Sequence, residues 1–63
     1  MTGNETVEVC YDEELKQRAT LFFRLFRIGS KEVWIPKSQI WSESGPSKTF
    51  EIPEWLAYEK GLL

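Results

Sequence analysis

The chain has 63 residues, with eight Lys and Arg, ten Asp and Glu and a formal net charge of −2. It has no His and one Cys, which excludes an intramolecular disulfide, the usual structural zinc sets and the Ser-His and Cys-His nucleophile pairs. A chain this short buries only about 60 % of its unfolded surface, so we expect one small domain over residues 1–63. Its 41 % hydrophobic and 14 % aromatic residues indicate a folded protein, with residues 1–5 expected to be disordered.

The charges are segregated along the chain. Residues 1–15 carry five acids and no base, whereas residues 16–37 carry six bases and one acid, Glu32. Residues 38–63 are again acidic. Such blocks either neutralise each other across a fold or present two faces of opposite sign. In so small a domain we expect mutual neutralisation.

The first predicted element is a strand over residues 6–11. Its alternation places Val7, Val9 and Tyr11 on one side and Cys10 on the polar side, where we expect a small, partly buried, non-catalytic thiol. Residues 12–17 are polar and predict a turn or wide loop. Three adjacent acids lie there, but a calcium loop spreads its ligands over a dozen positions, so a solvated acidic turn is the better interpretation.

Residues 15–27 are ambiguous between helix and strand. Some apolar residues follow helical spacing, and acids precede the segment as they do at helix starts. Residues 20–28 are aromatic-rich, however, and Gly29-Ser30 fits a two-residue hairpin turn. With that turn, Phe26 faces Val33 and Arg27 faces Glu32 as a cross-strand ion pair, which favours strand over helix.

The rest of the chain predicts two more strands and a helix. Because Pro36 has no N–H to donate, the strand that starts at residue 32 either lies at a sheet edge or ends or bends near Pro36. Residues 41–47 are predicted to form a turn-rich loop. Residues 48–52 form a short strand, Pro53 begins a helix at its first position, and Gly61 ends it. We therefore predict a mainly β fold: a small antiparallel β-meander or barrel-like sheet of about four strands with a short C-terminal helix.

Two segments carry a family resemblance. Residues 33–40 read Val-Trp-Ile-Pro-Lys-Ser-Gln-Ile, and residues 52–62 read Ile-Pro-Glu-Trp-Leu-Ala-Tyr-Glu-Lys-Gly-Leu. Together they resemble small uncharacterised bacteriophage and prophage proteins with a VW(I/L)PKSQI strand and an (I/V)PEWLAxEKGL segment. The resemblance covers roughly residues 19–63 and implies a phage-type origin and a shared small fold, but no mechanism. The longer aromatic segment 21–26 departs from the family pattern.

Both faces of the predicted hairpin are apolar, so one forms the core and the other is covered by the rest of the chain, by a second copy or by a partner. The large aromatics Trp34, Trp41, Trp55 and Tyr58 are expected in the core or at its rim, with Trp55 anchoring the helix. Of the four, Trp41, which adjoins a polar loop, is the one expected to be exposed. One face of the predicted hairpin carries the even-numbered residues of its first strand and the odd-numbered residues of its second, and we call it the even-numbered hairpin face. It interleaves bases with aromatics, which is typical of protein interfaces and of single-stranded nucleic-acid platforms. The predicted binding residues are Phe22, Arg24, Phe26, Lys31, Lys37 and Trp41.

These features predict a non-catalytic phage accessory protein that binds, and inhibits or modulates, a host protein or nucleoprotein such as a defence or replication factor. A small single-stranded nucleic-acid-binding barrel is the alternative, although the net acidity counts against it. We expect no cofactor and no metal. No apolar run approaches the ~20 residues that span a bilayer and no secretory leader is recognisable, so we expect no membrane partner and a location in the host cytoplasm, with a homodimer as an option.

Overall fold

A computed structural model describes residues 5–63. In this part of the chain, six strands form two three-stranded antiparallel sheets, followed by one short helix. The elements are β1 (Thr6–Cys10), β2 (Glu13–Glu14), β3 (Phe23–Ile28), β4 (Lys31–Pro36), β5 (Ser42–Ser44), β6 (Thr49–Pro53) and α1 (Glu54–Glu59). Short 3-10 helices lie at Lys16–Arg18 and Lys37–Gln39. The mainly β prediction with a C-terminal helix is confirmed.

The two sheets have different connectivity. The second sheet is a meander in the order β2-β3-β4, whereas the first has the order β1-β6-β5 and so joins the first strand to the last. Within residues 5–63 the sheets remain separate and do not close into a barrel. The predicted disorder of residues 1–5 falls outside the described residues except at Glu5, whose carbonyl accepts the Glu54 N–H at 2.9 Å.

The β3–β4 hairpin has the register predicted from the sequence. Phe26 lies opposite Val33, and Arg27 lies opposite Glu32. Gly29 has a φ of 63°, which a type II′ turn requires at its first central position. The helical alternative for residues 15–27 is wrong, because only the 3-10 turn at Lys16–Arg18 is helical there. The strand β3 begins at Phe23, three residues after the start of the aromatic-rich segment 20–28.

The remaining boundary predictions need three corrections. Glu13–Glu14 and Ser42–Ser44 are short strands within segments expected to be loops, because each pairs with a longer neighbour. Pro53 ends β6 and precedes the first helical residue. Gly61 ends α1 as predicted, with a φ of 75°.

The core lies between the sheets and is aromatic at its centre. The ring centroids of Phe26 and Phe50 are 4.6 Å apart, and Tyr11 lies 4.8 Å from Phe26. The even-numbered hairpin face therefore points inward. Burying these side chains is worth a few kcal/mol each. The core residues are Val9, Phe26, Val33, Ile35, Phe50, Ile52, Leu56 and Ala57.

The heavy aromatics lie mostly outside this core. Trp34 is half-buried, while Trp41, Trp55 and Tyr58 are exposed. The expectation that Trp55 anchors the helix is wrong: Leu56 and Ala57 are the buried residues of α1. Among residues 5–63, no helix has the length and apolar character needed to cross a bilayer.

Candidate functional site

The acidic and basic blocks meet across the fold. Arg27 in β3 donates to Glu13 in β2 at 2.6 Å and so joins the two blocks, whereas Arg18 and Glu32, which are 2.9 Å apart, both lie within the basic block. The expected Arg27–Glu32 ion pair is therefore wrong although the register is right, because each side chain reaches a different partner. Asp12 accepts the N–H of Gly29 at 2.7 Å and so ties the acidic segment to the hairpin turn. The neutralisation expected from the charge blocks is confirmed only for the arginines of β3, because Lys31 and Lys37 of the basic block have no carboxylate within 4.0 Å among residues 5–63.

Arg24 links the two sheets. Its guanidinium donates to both carboxylate oxygens of Glu14 at 2.8 Å and to both of Glu43 at 2.9 and 3.1 Å. Glu14 belongs to the second sheet and Glu43 to the first. We call Glu14, Arg24 and Glu43 the inter-sheet latch. Doubly bidentate pairs of this kind are strong and fix geometry.

The latch shifts the ionisation of all three of its groups. Hydrogen bonds from Arg24 lower the pKa of the Glu14 carboxyl, and they lower the pKa of the Glu43 carboxyl as well. Hydrogen bonds to Glu14, and then to Glu43, raise the pKa of the Arg24 guanidinium. An open depression of about 510 Å³ lies beside the latch, lined also by Tyr11, Lys16 and Lys48. Because two carboxylates already engage Arg24, it is not free to hold an anionic ligand there.

The structure disperses the predicted binding residues. Phe26 is fully buried in the core and Arg24 is in the latch, so neither is available to a partner. Phe22, Lys31, Lys37 and Trp41 are exposed. Lys37 donates its N–H to the Phe22 carbonyl at 2.9 Å, which places these two residues together. The nucleic-acid interpretation thus loses Arg24 and Phe26, two of the six predicted binding residues.

The apolar segment that leads into β3 and includes its first residue is the most exposed hydrophobic feature in residues 5–63. Leu21 is 78 % exposed, Phe22 is 70 % exposed and Phe23 is 40 % exposed. We call Leu21, Phe22 and Phe23 the apolar tip. Thr20 fixes its base, because the Thr20 N–H donates to the Phe23 carbonyl and the Phe23 N–H donates to Thr20 Oγ1. The tip is therefore a hydrogen-bonded turn with apolar side chains in solvent.

The outer face of the second sheet is only partly covered. Leu25 is fully buried but lies outside the main core cluster, and the 3-10 turn at Lys16–Arg18 contacts β3. Further along this face, Thr20, Phe23 and Trp34 line an open recess of about 340 Å³. This is the outer recess, and it is continuous with the apolar tip through Phe23. The recess and tip form the candidate site, which keeps Phe22 from the predicted binding residues and adds Leu21, Phe23 and Trp34.

Other candidate chemistry is accounted for by structural contacts. Asp12, Glu13 and Glu14 each have a different hydrogen-bond partner, and residues 5–63 contain no group of three side chains placed to hold a metal ion. Cys10 is exposed, which corrects the expectation of a partly buried thiol. Comparison of the chain with protein-family models, with curated proteins and with solved structures gives no match.

Proposed function

We propose that this protein is a non-catalytic phage accessory protein that binds and modulates a host protein or nucleoprotein through the apolar tip and the outer recess. The observation that carries the proposal is the exposure of three consecutive apolar side chains on a turn held by hydrogen bonds. Exposed contiguous apolar surface on a small domain is typical of interaction sites. A fixed loop also loses little conformational entropy on binding.

Two further observations support a protein partner. Aromatic residues are enriched at the centres of protein interfaces, and the candidate site has Phe22, Phe23 and Trp34. The three arginines that could contact phosphates are instead paired with carboxylates of the same chain. The phage origin and the host partner rest on the resemblance of residues 33–40 and 52–62 to phage proteins.

The proposal is tested by affinity capture from a bacterial lysate with the full chain. We expect wild type to retain one dominant protein and the double variant Leu21→Ser, Phe22→Ser to lose it. Tyr58→Ser is the control, because it removes an exposed aromatic side chain from a different element, α1. Circular dichroism confirms folding of each variant. Capture of the same protein by the double variant would contradict the proposed site, and so would equal losses from both variants.

A further inference from the structure

The strand β4 forms one edge of the second sheet. Its register with β3 fixes which of its backbone groups remain unpaired. The carbonyls of Leu25 and Arg27 accept hydrogen bonds from the β2 side, from the N–H groups of Leu15 and Asp12. The backbone N–H and C=O groups of the even-numbered residues of β3 therefore point toward β4. Their hydrogen-bonded partners in β4 are Lys31, Val33 and Ile35.

The intervening residues of β4 point their backbone groups away from the sheet. These are Glu32, Trp34 and Pro36, and Pro36 has no N–H to offer. The Lys37 N–H bond to Phe22 continues the same alternation. Within residues 5–63, no backbone hydrogen bond from another element reaches Glu32 or Trp34. The edge thus offers two N–H groups and three carbonyls to an added strand.

The side chains around the β4 edge determine which residues an added strand would contact. Trp34 lines the outer recess, so the residue opposite it would place its side chain beside an apolar surface. Glu32 is already paired with Arg18. Lys31 and Lys37 lie at the two ends of β4, about 20 Å apart in extended chain. Among the described residues, neither lysine has a carboxylate within 4.0 Å.

We propose, on the basis of the proposed function, that the partner binds by adding an extended segment to the β4 edge, with an apolar residue beside Trp34 and acidic residues near Lys31 and Lys37. Backbone pairing supplies affinity in such complexes, and alternate side chains supply specificity. A second copy of this chain fits less well. If two β4 strands pair antiparallel with their Trp34 residues opposite each other, Lys31 of one copy lies opposite Lys37 of the other, and the two positive charges repel. If instead their Glu32 residues lie opposite each other, two carboxylates repel.

The test exploits the direction of the Glu32 N–H. Proline is tolerated where a strand N–H faces outward, so Glu32→Pro blocks strand addition without removing a β3–β4 hydrogen bond. Glu32→Ala is the matched control, because it removes the same carboxylate but keeps the N–H. The probe is a displayed library of random linear peptides, selected on the full-length wild-type chain, and the enriched peptides are then synthesised for affinity measurements.

We expect the enriched peptides to alternate apolar residues and to carry acids at their ends. Their affinity falls about tenfold or more in Glu32→Pro and little in Glu32→Ala. Hydrogen exchange supplies a readout without a variant: the amides of Glu32 and Trp34 exchange quickly in the free protein and become protected by peptide. Replacing Lys31 and Lys37 by Glu reverses the charge preference of the selected peptides.

Several results would overturn strand addition. These are a selection with no enriched peptide, a preference for basic peptides, equal binding by the two Glu32 variants, or unprotected amides. Protection of the same amides by self-association, with a doubled mass in light scattering, would assign the edge to a second copy. If lysate capture still depends on Leu21 and Phe22, the proposed function stands while strand addition fails.

Discussion

At the scale of single residues, Arg24 has the most consequential environment. Its sequence neighbours are apolar and basic, which made it a natural candidate for contact with a partner. In the fold it lies between Glu14 and Glu43, and its Cζ is also 5.1 Å from the ring centroid of Phe26. Neither carboxylate could be assigned to Arg24 from the sequence, because β2 and β5 are too short to have a recognisable pattern.

Replacing Arg24 should be far more costly than replacing the other arginine of β3. Arg24→Met leaves two carboxylates facing each other in a partly buried site, and we expect the free energy of unfolding to fall by about 2–4 kcal/mol. Arg27→Met is the control, because the side chains of Arg27 and Glu13 are each about half exposed and such pairs contribute about 0–1 kcal/mol. Urea unfolding at neutral pH measures both. Equal losses would show that the latch does not hold the sheets together.

At the scale of elements, the end of α1 is set by Gly61. The Gly61 N–H donates to the Tyr58 carbonyl at 3.0 Å, and the Leu62 N–H donates to the Ala57 carbonyl at 2.8 Å, which is the Schellman pattern. This pattern needs a left-handed residue, and Gly61 has a φ of 75°. A Cβ there would also lie 3.0 Å from the Lys31 ammonium nitrogen.

Gly61→Ala should therefore destabilise the protein by about 1–2 kcal/mol, because a side chain is strained at this φ. For a domain of this size each kcal/mol lowers the midpoint of thermal unfolding by about 4–8 °C. Gly45→Ala is the control, since its φ is not positive and a Cβ there meets nothing within 4 Å. Thermal unfolding followed by circular dichroism measures the difference. An unchanged midpoint in Gly61→Ala would argue against the left-handed helix end.

The elements that were predictable from the sequence carry their own local pattern. Alternation of apolar residues identified β1 and β6, and the Gly29-Ser30 turn fixed the whole register of β3 with β4. The missed strands, Glu13–Glu14 and Ser42–Ser44, have no pattern of their own and exist because a neighbour pairs with them. The inward direction of Phe26 could not be predicted for a related reason: which face of the hairpin forms the core depends on the first sheet, β1-β6-β5, and local alternation does not reveal where that sheet packs.

At the scale of the whole molecule, the inter-sheet latch makes stability depend on acidity. In the folded state, Arg24 lowers the pKa of Glu14 and of Glu43 below their usual value of 4.5. A depressed folded-state pKa means that the stabilisation is complete above pH 4.5 and is lost as the pH falls through the folded-state pKa. We therefore expect the free energy of unfolding to decrease from pH 5 toward pH 3.

This loss should be smaller in Arg24→Met than in wild type, because the variant has no guanidinium to lower either carboxyl pKa. Urea unfolding at a series of pH values measures the two slopes. A variant that loses as much stability with acid as wild type would place the sensitivity elsewhere. High salt should weaken the contribution of Glu43 more than that of Glu14, because Glu43 is half exposed whereas Arg24 and Glu14 are largely shielded from solvent.

The pairing of β1 with β6 has a consequence for the order of assembly. Val7 finds its partner only at Ile52, whereas the strands β2, β3 and β4 follow one another directly along the chain. Contacts between residues far apart in sequence carry a larger loop-closure cost and form slowly. During synthesis the meander can thus form before the rest of the chain has emerged, while β1 waits for β6. For that interval the inward faces of Phe26, Val33 and Ile35 have nothing to cover them, and this is when the nascent protein is most exposed to aggregation.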